Sequence, residues 1–172
     1  MPGLLIKNMC LNKNALIAAE MVQAAHPDVR FTSGRRSLLD QSRAMANNTI
    51  IYGIDWLSKT YKNRQMVSCL MSYVSEHPEQ LKDCVVLTNA FHDLLQEYFH
   101  RDFKKMPHVV GRAFDIGWPR DSNGAINREK GEGICKTIEE LPPELGLELI
   151  LRKEGSLDVI HVQFASASQE VI

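Results

Sequence analysis

Four residues in the second half of the chain have types and spacing suited to metal and acid–base chemistry. Six residues separate His108 from Asp115, and Asp158 stands three positions before His161. Imidazole nitrogens and carboxylate oxygens bind zinc, and a catalytic zinc commonly has three protein ligands and a fourth position for water. His108, Asp115 and His161 would supply three such ligands, and cobalt, nickel or iron would accept the same donors.

Asp158 is suited to a different role, because it precedes a predicted strand and need not follow the strand's alternation. We expect its carboxylate to lie beside the metal, where it can take a proton from water and pass it to a leaving amine. Gly111 allows a sharp turn between His108 and Asp115. A turn aspartate followed by a strand histidine is also a common structural combination, so this spacing alone is weak evidence.

A further group of polar residues lies in the segment TSGRRSLLDQ, at the junction between a predicted strand and a predicted helix. An arginine held at such a junction suits bidentate binding of a carboxylate, or stabilisation of charge on a carbonyl oxygen. Solvated loop arginines are the commoner meaning of a pair such as Arg35 and Arg36. The segment therefore needs the rest of the pattern to support a functional interpretation.

The elements before this chemistry are predicted from hydrophobic spacing and capping residues. A helix is predicted over 15–25 and a short strand over 28–32. Ser37, with Asp40 three residues later, gives a capping-box-like start to a second helix. These elements would place residues 33–36 between the end of the strand and the start of the second helix.

Two long amphipathic helices are predicted over 55–76 and 80–101, with Pro78 between them. Their stripes of methionine and aromatic residues are typical of a buried core. Together they form a helical insertion over about residues 55–101.

The last part of the chain is predicted to be mainly sheet. Hydrophobic alternation predicts strands over 112–117, 147–151 and 159–164. In the last of these strands, Ile160 and Val162 fall on one face and His161 on the other. A polar, turn-rich loop is expected over 119–133, and a short helical stretch ends at residues 141–143. One α+β domain covering residues 1–172, with a small antiparallel sheet, is the economical interpretation.

Composition excludes several classes of protein. The chain has 172 residues, 44% of them hydrophobic and 24% charged, which is typical of a globular protein. Its formal net charge of −1 argues against a nucleic-acid-binding protein. No signal peptide and no long apolar run is evident, so we expect a soluble protein without membrane insertion. The four cysteines show no metal-binding spacing and are expected to be reduced and mostly buried: Cys10, Cys69, Cys84 and Cys135.

In chain order, SGRRSLLDQ, HVVGRAFD and DVIHVQF resemble the three signature blocks of the M15 family of zinc peptidases. This family includes D-alanyl-D-alanine carboxypeptidases and phage endolysins with the hedgehog/DD-peptidase fold. The blocks of the family read approximately SGYRS…Q, SxHxxGxAxD and [DE]xxH, and three matches in order are more specific than any one. The resemblance covers roughly residues 28–165.

The resemblance implies a role for each matched residue. The zinc ligands would be His108, Asp115 and His161, and the catalytic acid/base would be Asp158. It further implies that Arg36 holds the substrate or polarises its carbonyl, and that Ser33 and Gln41 flank the site and contact substrate. The chain departs from the pattern at Arg35, where the family often has tyrosine.

The resemblance implies a zinc-dependent peptidase that cuts the stem peptide of peptidoglycan. The aspartate form of the last block favours an endolysin-type L-alanyl-D-glutamate endopeptidase, held in the host cytoplasm until its release to the cell wall, or virion-associated. A D-alanyl-D-alanine carboxypeptidase is the nearest alternative. A non-catalytic zinc-binding protein of the cell wall or virion is an alternative of another class, since a fold by itself does not establish a function.

Overall fold

The structure, a computed structural model, describes residues 3–100, 106–153 and 158–165. Within these ranges four strands form one antiparallel sheet in the order β1-β2-β4-β3. The strands are β1 (Phe31–Ser33), β2 (Ala113–Gly117), β3 (Leu147–Leu151) and β4 (Val159–Phe164).

The helices described in full are α1 (Lys13–Ala25), α2 (Leu38–Tyr52), α3 (Asp55–Thr60), α4 (Arg64–Glu76), α5 (Cys84–Tyr98) and α6 (Arg128–Glu139). Short 3₁₀ turns cover Ile6–Asn8, Pro78–Lys82 and Pro143–Leu145. The predicted α+β class with a small antiparallel sheet is confirmed. Across the described ranges, no helix is both long and apolar enough to cross a membrane.

The chain divides into two compact units. The first, called the sheet unit, comprises Met1–Arg35 and Val110–Ile172. The second, called the helical unit, comprises Arg36–Val109. The helical unit therefore begins well before the predicted insertion at residue 55, because it includes α2. That all 172 residues form a single domain stays a prediction.

The core of the sheet unit lies between one face of the sheet and the helices α1 and α6. Alternate residues of the two central strands, among them Phe114, Ile160 and Val162, are fully buried there. Phe114 also meets Phe31 edge to face, with ring centroids 5.5 Å apart. Burial of this face is the main favourable term that holds the sheet together. It also leaves the opposite face available for polar residues.

The core of the helical unit forms where α2 packs along α5, with α3 and α4 beside them. Met66, Leu70, Phe91 and Leu95, from the predicted amphipathic stripes, are fully or almost fully buried. These stripes are therefore core, as the sequence indicates.

The predicted helix over 55–76 is wrong in its continuity, because it is broken into α3 and α4. Tyr61 is extended, and the side chain of Asn63 accepts a hydrogen bond from the backbone N–H of Met66. An asparagine in this position satisfies a free donor at the start of the new helix. The cap therefore starts a new helix where the hydrophobic spacing suggests one continuous helix.

The predicted helix over 80–101 begins later than expected. A 3₁₀ turn follows Pro78, and Asp83 then caps α5 by accepting from the backbone N–H groups of Val85 and Val86. It also ends earlier, at Tyr98 instead of about residue 101, and residues 101–105 lie outside the described residues. As in the preceding helix, a side-chain cap sets the boundary.

Two further boundaries differ in the sheet unit. The strand expected over 28–32 starts at Phe31, because a turn closed by the Val29 N–H and the His26 carbonyl occupies the preceding residues. The loop expected over 119–133 is shorter, because Asn127 caps α6 by accepting from the N–H of Lys130.

The four cysteines are free thiols, as expected. They are not mostly buried: Cys135 is buried, Cys69 and Cys84 are half-buried, and Cys10 is exposed. Cys135 packs in the core between α6 and the sheet, and its burial raises the pKa of the thiol. Cys69 and Cys84 pack against the edge of the core of the helical unit, and Cys10 lies in the irregular segment before α1.

Candidate metal centre

Register between the two central strands places Asp115 directly opposite His161. Cross-strand partners of this kind have Cβ atoms about 5 Å apart, so their side chains meet on the same face. His161 Nδ1 lies 2.9 Å from Asp115 Oδ1, and the ring N–H donates to the carboxylate. Both side chains are buried, with 3% of Asp115 and 5% of His161 exposed. The pair is on the face opposite the apolar core, as the alternation of β4 predicts.

His108 lies in the turn before β2 and is also buried, with 6% exposed. Its backbone carbonyl accepts a hydrogen bond from the Arg36 N–H at 3.1 Å. Further along the turn, Gly111 has φ +72°, a conformation that favours glycine. A Cβ at this position would stand 3.0 Å from the Cys10 carbonyl oxygen. The predicted turn at Gly111 is therefore confirmed, and glycine is required by both conformation and space.

Ligand atoms of His108, Asp115 and His161 all lie within 4.8 Å of one another. Donor atoms around one zinc ion stand about 3–3.5 Å apart, given bond lengths of about 2.0–2.2 Å. Small side-chain rotations would therefore bring the three atoms to one ion. Two nitrogens and one carboxylate oxygen form a donor set that suits zinc. The group could therefore hold a metal ion.

Asp158 lies immediately before β4 and is exposed. It is not part of the ligand group. Its backbone carbonyl accepts from the Trp118 N–H at 3.4 Å, and its side chain lines a cavity with Gly117 and Val159. Its predicted role in proton transfer stays a prediction.

Arg36 and Gln41 contact each other at the start of α2. Arg36 Nη1 donates to Gln41 Oε1 at 3.4 Å, and Gln41 Nε2 donates to the Tyr61 hydroxyl at 3.0 Å. Gln41 is buried, with 3% exposed. The sequence does not indicate this contact of Tyr61, because the residue falls within the predicted helix over 55–76 and is one of several apolar or aromatic residues there.

Ser33 is the last residue of β1 and is paired with Asp115 in the sheet. Its side chain is buried, and its hydroxyl oxygen has no hydrogen-bond partner among the described residues. Buried hydroxyl groups nearly always have a partner, so this one is available to a ligand. The structure therefore places Ser33 beside one of the candidate metal ligands, whereas Gln41 is held by its own neighbours. The substrate-binding roles of both residues stay predictions.

No protein-family model matches the chain, and comparisons with curated proteins and with solved structures give no match either. The functional interpretation consequently depends on the residues and their geometry.

Proposed function

We propose that this protein is a zinc-dependent peptidase with the hedgehog/DD-peptidase fold that hydrolyses the L-alanyl-D-glutamate bond of peptidoglycan stem peptides. The observation that carries the proposal is the buried group of His108, Asp115 and His161. Residues far apart in sequence supply its three donors, and a hydrogen bond fixes two of them. The three motif blocks in chain order support the same assignment.

The number of ligands favours a catalytic centre over a structural one. Structural zinc sites are usually closed by four protein ligands, whereas catalytic sites leave one position open. Among the described residues no fourth histidine, cysteine, aspartate or glutamate joins the group. Three ligands and an open fourth position are typical of a zinc centre that activates water.

In the proposed mechanism His108, Asp115 and His161 hold the ion. When bound, zinc supplies a Lewis acid that polarises the scissile carbonyl and lowers the pKa of water. Asp158 takes a proton from the attacking water and delivers it to the leaving nitrogen, so that water is divided between the new carboxylate and the new amine. Arg36 orients the substrate carbonyl.

The decisive experiment is digestion of purified peptidoglycan by the full chain with no addition, with a chelator, and with zinc restored, followed by mass analysis of the fragments. New L-alanine carboxyl ends and D-glutamate amino ends that depend on zinc would support the proposal. Release of free D-alanine would instead assign a carboxypeptidase. A zinc-loaded protein that releases no fragment would overturn the peptidase assignment in favour of a non-catalytic zinc protein.

A further inference from the structure

The sheet unit contains a cavity of about 350 Å³ beside the paired ends of β2 and β4. Gly117 and Val159 are opposite each other there, one pleat repeat away from the pair Asp115 and His161. Residues two apart on a strand point to the same face and lie about 7 Å from each other. Gly117 and Val159 therefore line the cavity from the same face of the sheet as those two candidate ligands, about one amino-acid residue of substrate away, and Lys130 and Ile134 of α6 line it from the other side.

Gly117 keeps this part of the face open. A Cβ at this position would stand 3.2 Å from Thr32 Cγ2 and 4.0 Å from Arg30 Nε. These distances also locate the guanidinium of Arg30 above Gly117, where it lines the cavity. Asp158 lines the same cavity from the end of β4. One cavity thus has a cation and an anion on its wall.

The other charged groups of the cavity wall already have partners. Lys130 donates to the carboxylate of Asp28, and Arg120 Nη1 donates to the Gly124 carbonyl at 2.7 Å. The guanidinium of Arg30 and the carboxylate of Asp158, by contrast, form no ion pair or hydrogen bond with any side chain in the described parts of the chain. Both are therefore free to bind groups of opposite charge on a ligand.

We propose that this cavity binds the residue on the leaving-amine side of the scissile bond, with Arg30 pairing with a carboxylate carried by that residue. This inference rests on the proposed function. In a γ-linked D-glutamate the free α-carboxylate is bonded to the carbon that carries the leaving nitrogen. After hydrolysis the same residue has an ammonium group and a carboxylate next to each other. The carboxylate of Asp158 is opposite in charge to the ammonium group, and the guanidinium of Arg30 is opposite in charge to the carboxylate.

The separation of these groups agrees with the substrate. A carboxylate on this residue is three bonds from the scissile carbonyl carbon, and a guanidinium adds a hydrogen bond of about 2.7–2.9 Å. The distance from the scissile carbonyl carbon to the guanidinium is therefore comparable with the spacing of about 7 Å between Asp115 and Gly117 along the strand. Arg30 would thus be a specificity-determining residue that favours an acidic residue, or a terminal carboxylate, after the cleaved bond.

The test is binding of a pair of product peptides to the zinc-loaded full chain, measured by isothermal titration calorimetry. The probes are γ-D-glutamyl-L-lysine and the same dipeptide with its α-carboxylate converted to a carboxamide. We expect the carboxylate form to bind about fivefold more tightly, which is the scale of a partly exposed ion pair. Arg30→Gln should reduce this ratio to near one, and Arg30→Lys should retain part of it. Arg128→Gln, at an exposed arginine outside the cavity lining, is the matched control and should leave the ratio unchanged.

The inference would be overturned if Arg30→Gln left the ratio of the two affinities unchanged. It would also be overturned if the unmodified protein bound neither peptide, or bound both equally. These results are separable from failure of the proposed function. Zinc-dependent release of D-glutamate ends with an unchanged ratio in Arg30→Gln would remove only the role of Arg30. An Arg30-dependent ratio in a protein that releases no fragment would leave the binding site and remove the peptidase.

Discussion

Asp115 and His161 form a buried, hydrogen-bonded polar pair in the sheet unit. A buried polar group is costly unless it has a partner, so the hydrogen bond between these two side chains supports the fold. Replacing one partner removes this hydrogen bond from the other, which stays buried. Variants at this pair therefore need a stability measurement alongside any functional one.

Substitutions of the metal ligands and of the proposed proton carrier should differ in their effect on bound zinc. His161→Ala or His108→Ala should lose bound zinc, because two donors hold an ion far more weakly than three, and should lose turnover with it. Asp158→Asn should keep one zinc per chain and lose turnover. Metal content is measured by mass spectrometry of the dialysed protein, and turnover by peptidoglycan digestion.

His92→Ala is the control for loss of an imidazole, since His92 lies on α5 outside the ligand group and should change neither quantity. Unchanged turnover in Asp158→Asn would remove the proposed proton transfer. Arg36→Ala should weaken turnover and leave the zinc in place, and an empty site in this variant would mean that its role is misassigned.

Asp28 gives a test of local electrostatics. The hydrogen bond from Lys130 holds the pKa of the Asp28 carboxyl below its usual value. Because the pKa is lowered in the folded state, the pair stabilises the protein above the ordinary carboxyl pKa of about 3.9. That contribution is lost as pH falls through the lower, folded-state value. Lys130→Gln should move the pKa of Asp28 upward, as followed by NMR titration of its carboxyl carbon.

Lys136→Gln is the matched control, because Lys136 pairs with Glu140 on the same helix and does not contact Asp28. A pKa of Asp28 that is equally low in Lys130→Gln would show that the ion pair does not cause the shift.

At the scale of elements, α6 packs on Trp118 through a position that only glycine fits. A Cβ at Gly131 would stand 2.0 and 2.2 Å from carbons of the indole ring, whose Nε1 donates to the Arg152 carbonyl at 2.7 Å. Gly131→Ala must therefore displace the ring, and we expect a loss of about 1–3 kcal/mol in the free energy of unfolding.

Gly133 is on the same helix and provides the matched comparison. A Cβ there meets nothing nearer than 3.9 Å, so Gly133→Ala should stabilise the protein by about 0.5–1 kcal/mol through helix propensity. Urea denaturation of both variants measures the difference. Equal effects of the two substitutions would contradict the packing of α6 on Trp118.

At the scale of the whole molecule, the chain has two hydrophobic cores, one in each compact unit. Phe91 is fully buried in the helical unit, and Phe114 is fully buried in the sheet unit. Phe91→Ala and Phe114→Ala should each cost about 3–5 kcal/mol in the free energy of unfolding, because each leaves a cavity.

Amide hydrogen exchange should show where each loss acts. We expect Phe91→Ala to accelerate exchange most in α2 and α5, and Phe114→Ala to accelerate it most in β2 and β4, because sub-globular openings follow cooperative units. The same pattern of acceleration in both variants would show that the two cores open together.

Local signals in the sequence predicted much of the fold. Alternation in residues 159–164 predicted β4 and placed His161 off the core face, and Ser37 predicted the start of α2, where it accepts from the Asp40 N–H. The boundaries at Asn63 and Asp83 were missed, although both residues are good caps. Hydrophobic spacing continues past these two caps, so it predicts a helix through both positions although a capping residue starts a new helix there.

The residue types of the candidate site, most of the elements around it and the polar face of β4 all follow from the amino-acid sequence. Packing of the whole chain was needed to bring Asp115 opposite His161, 46 positions further along the chain, and to place Arg30 and Asp158 on one cavity. The physical reason is that caps and alternation arise from hydrogen bonds and burial within a few residues. The register between distant strands, by contrast, depends on how the whole core packs.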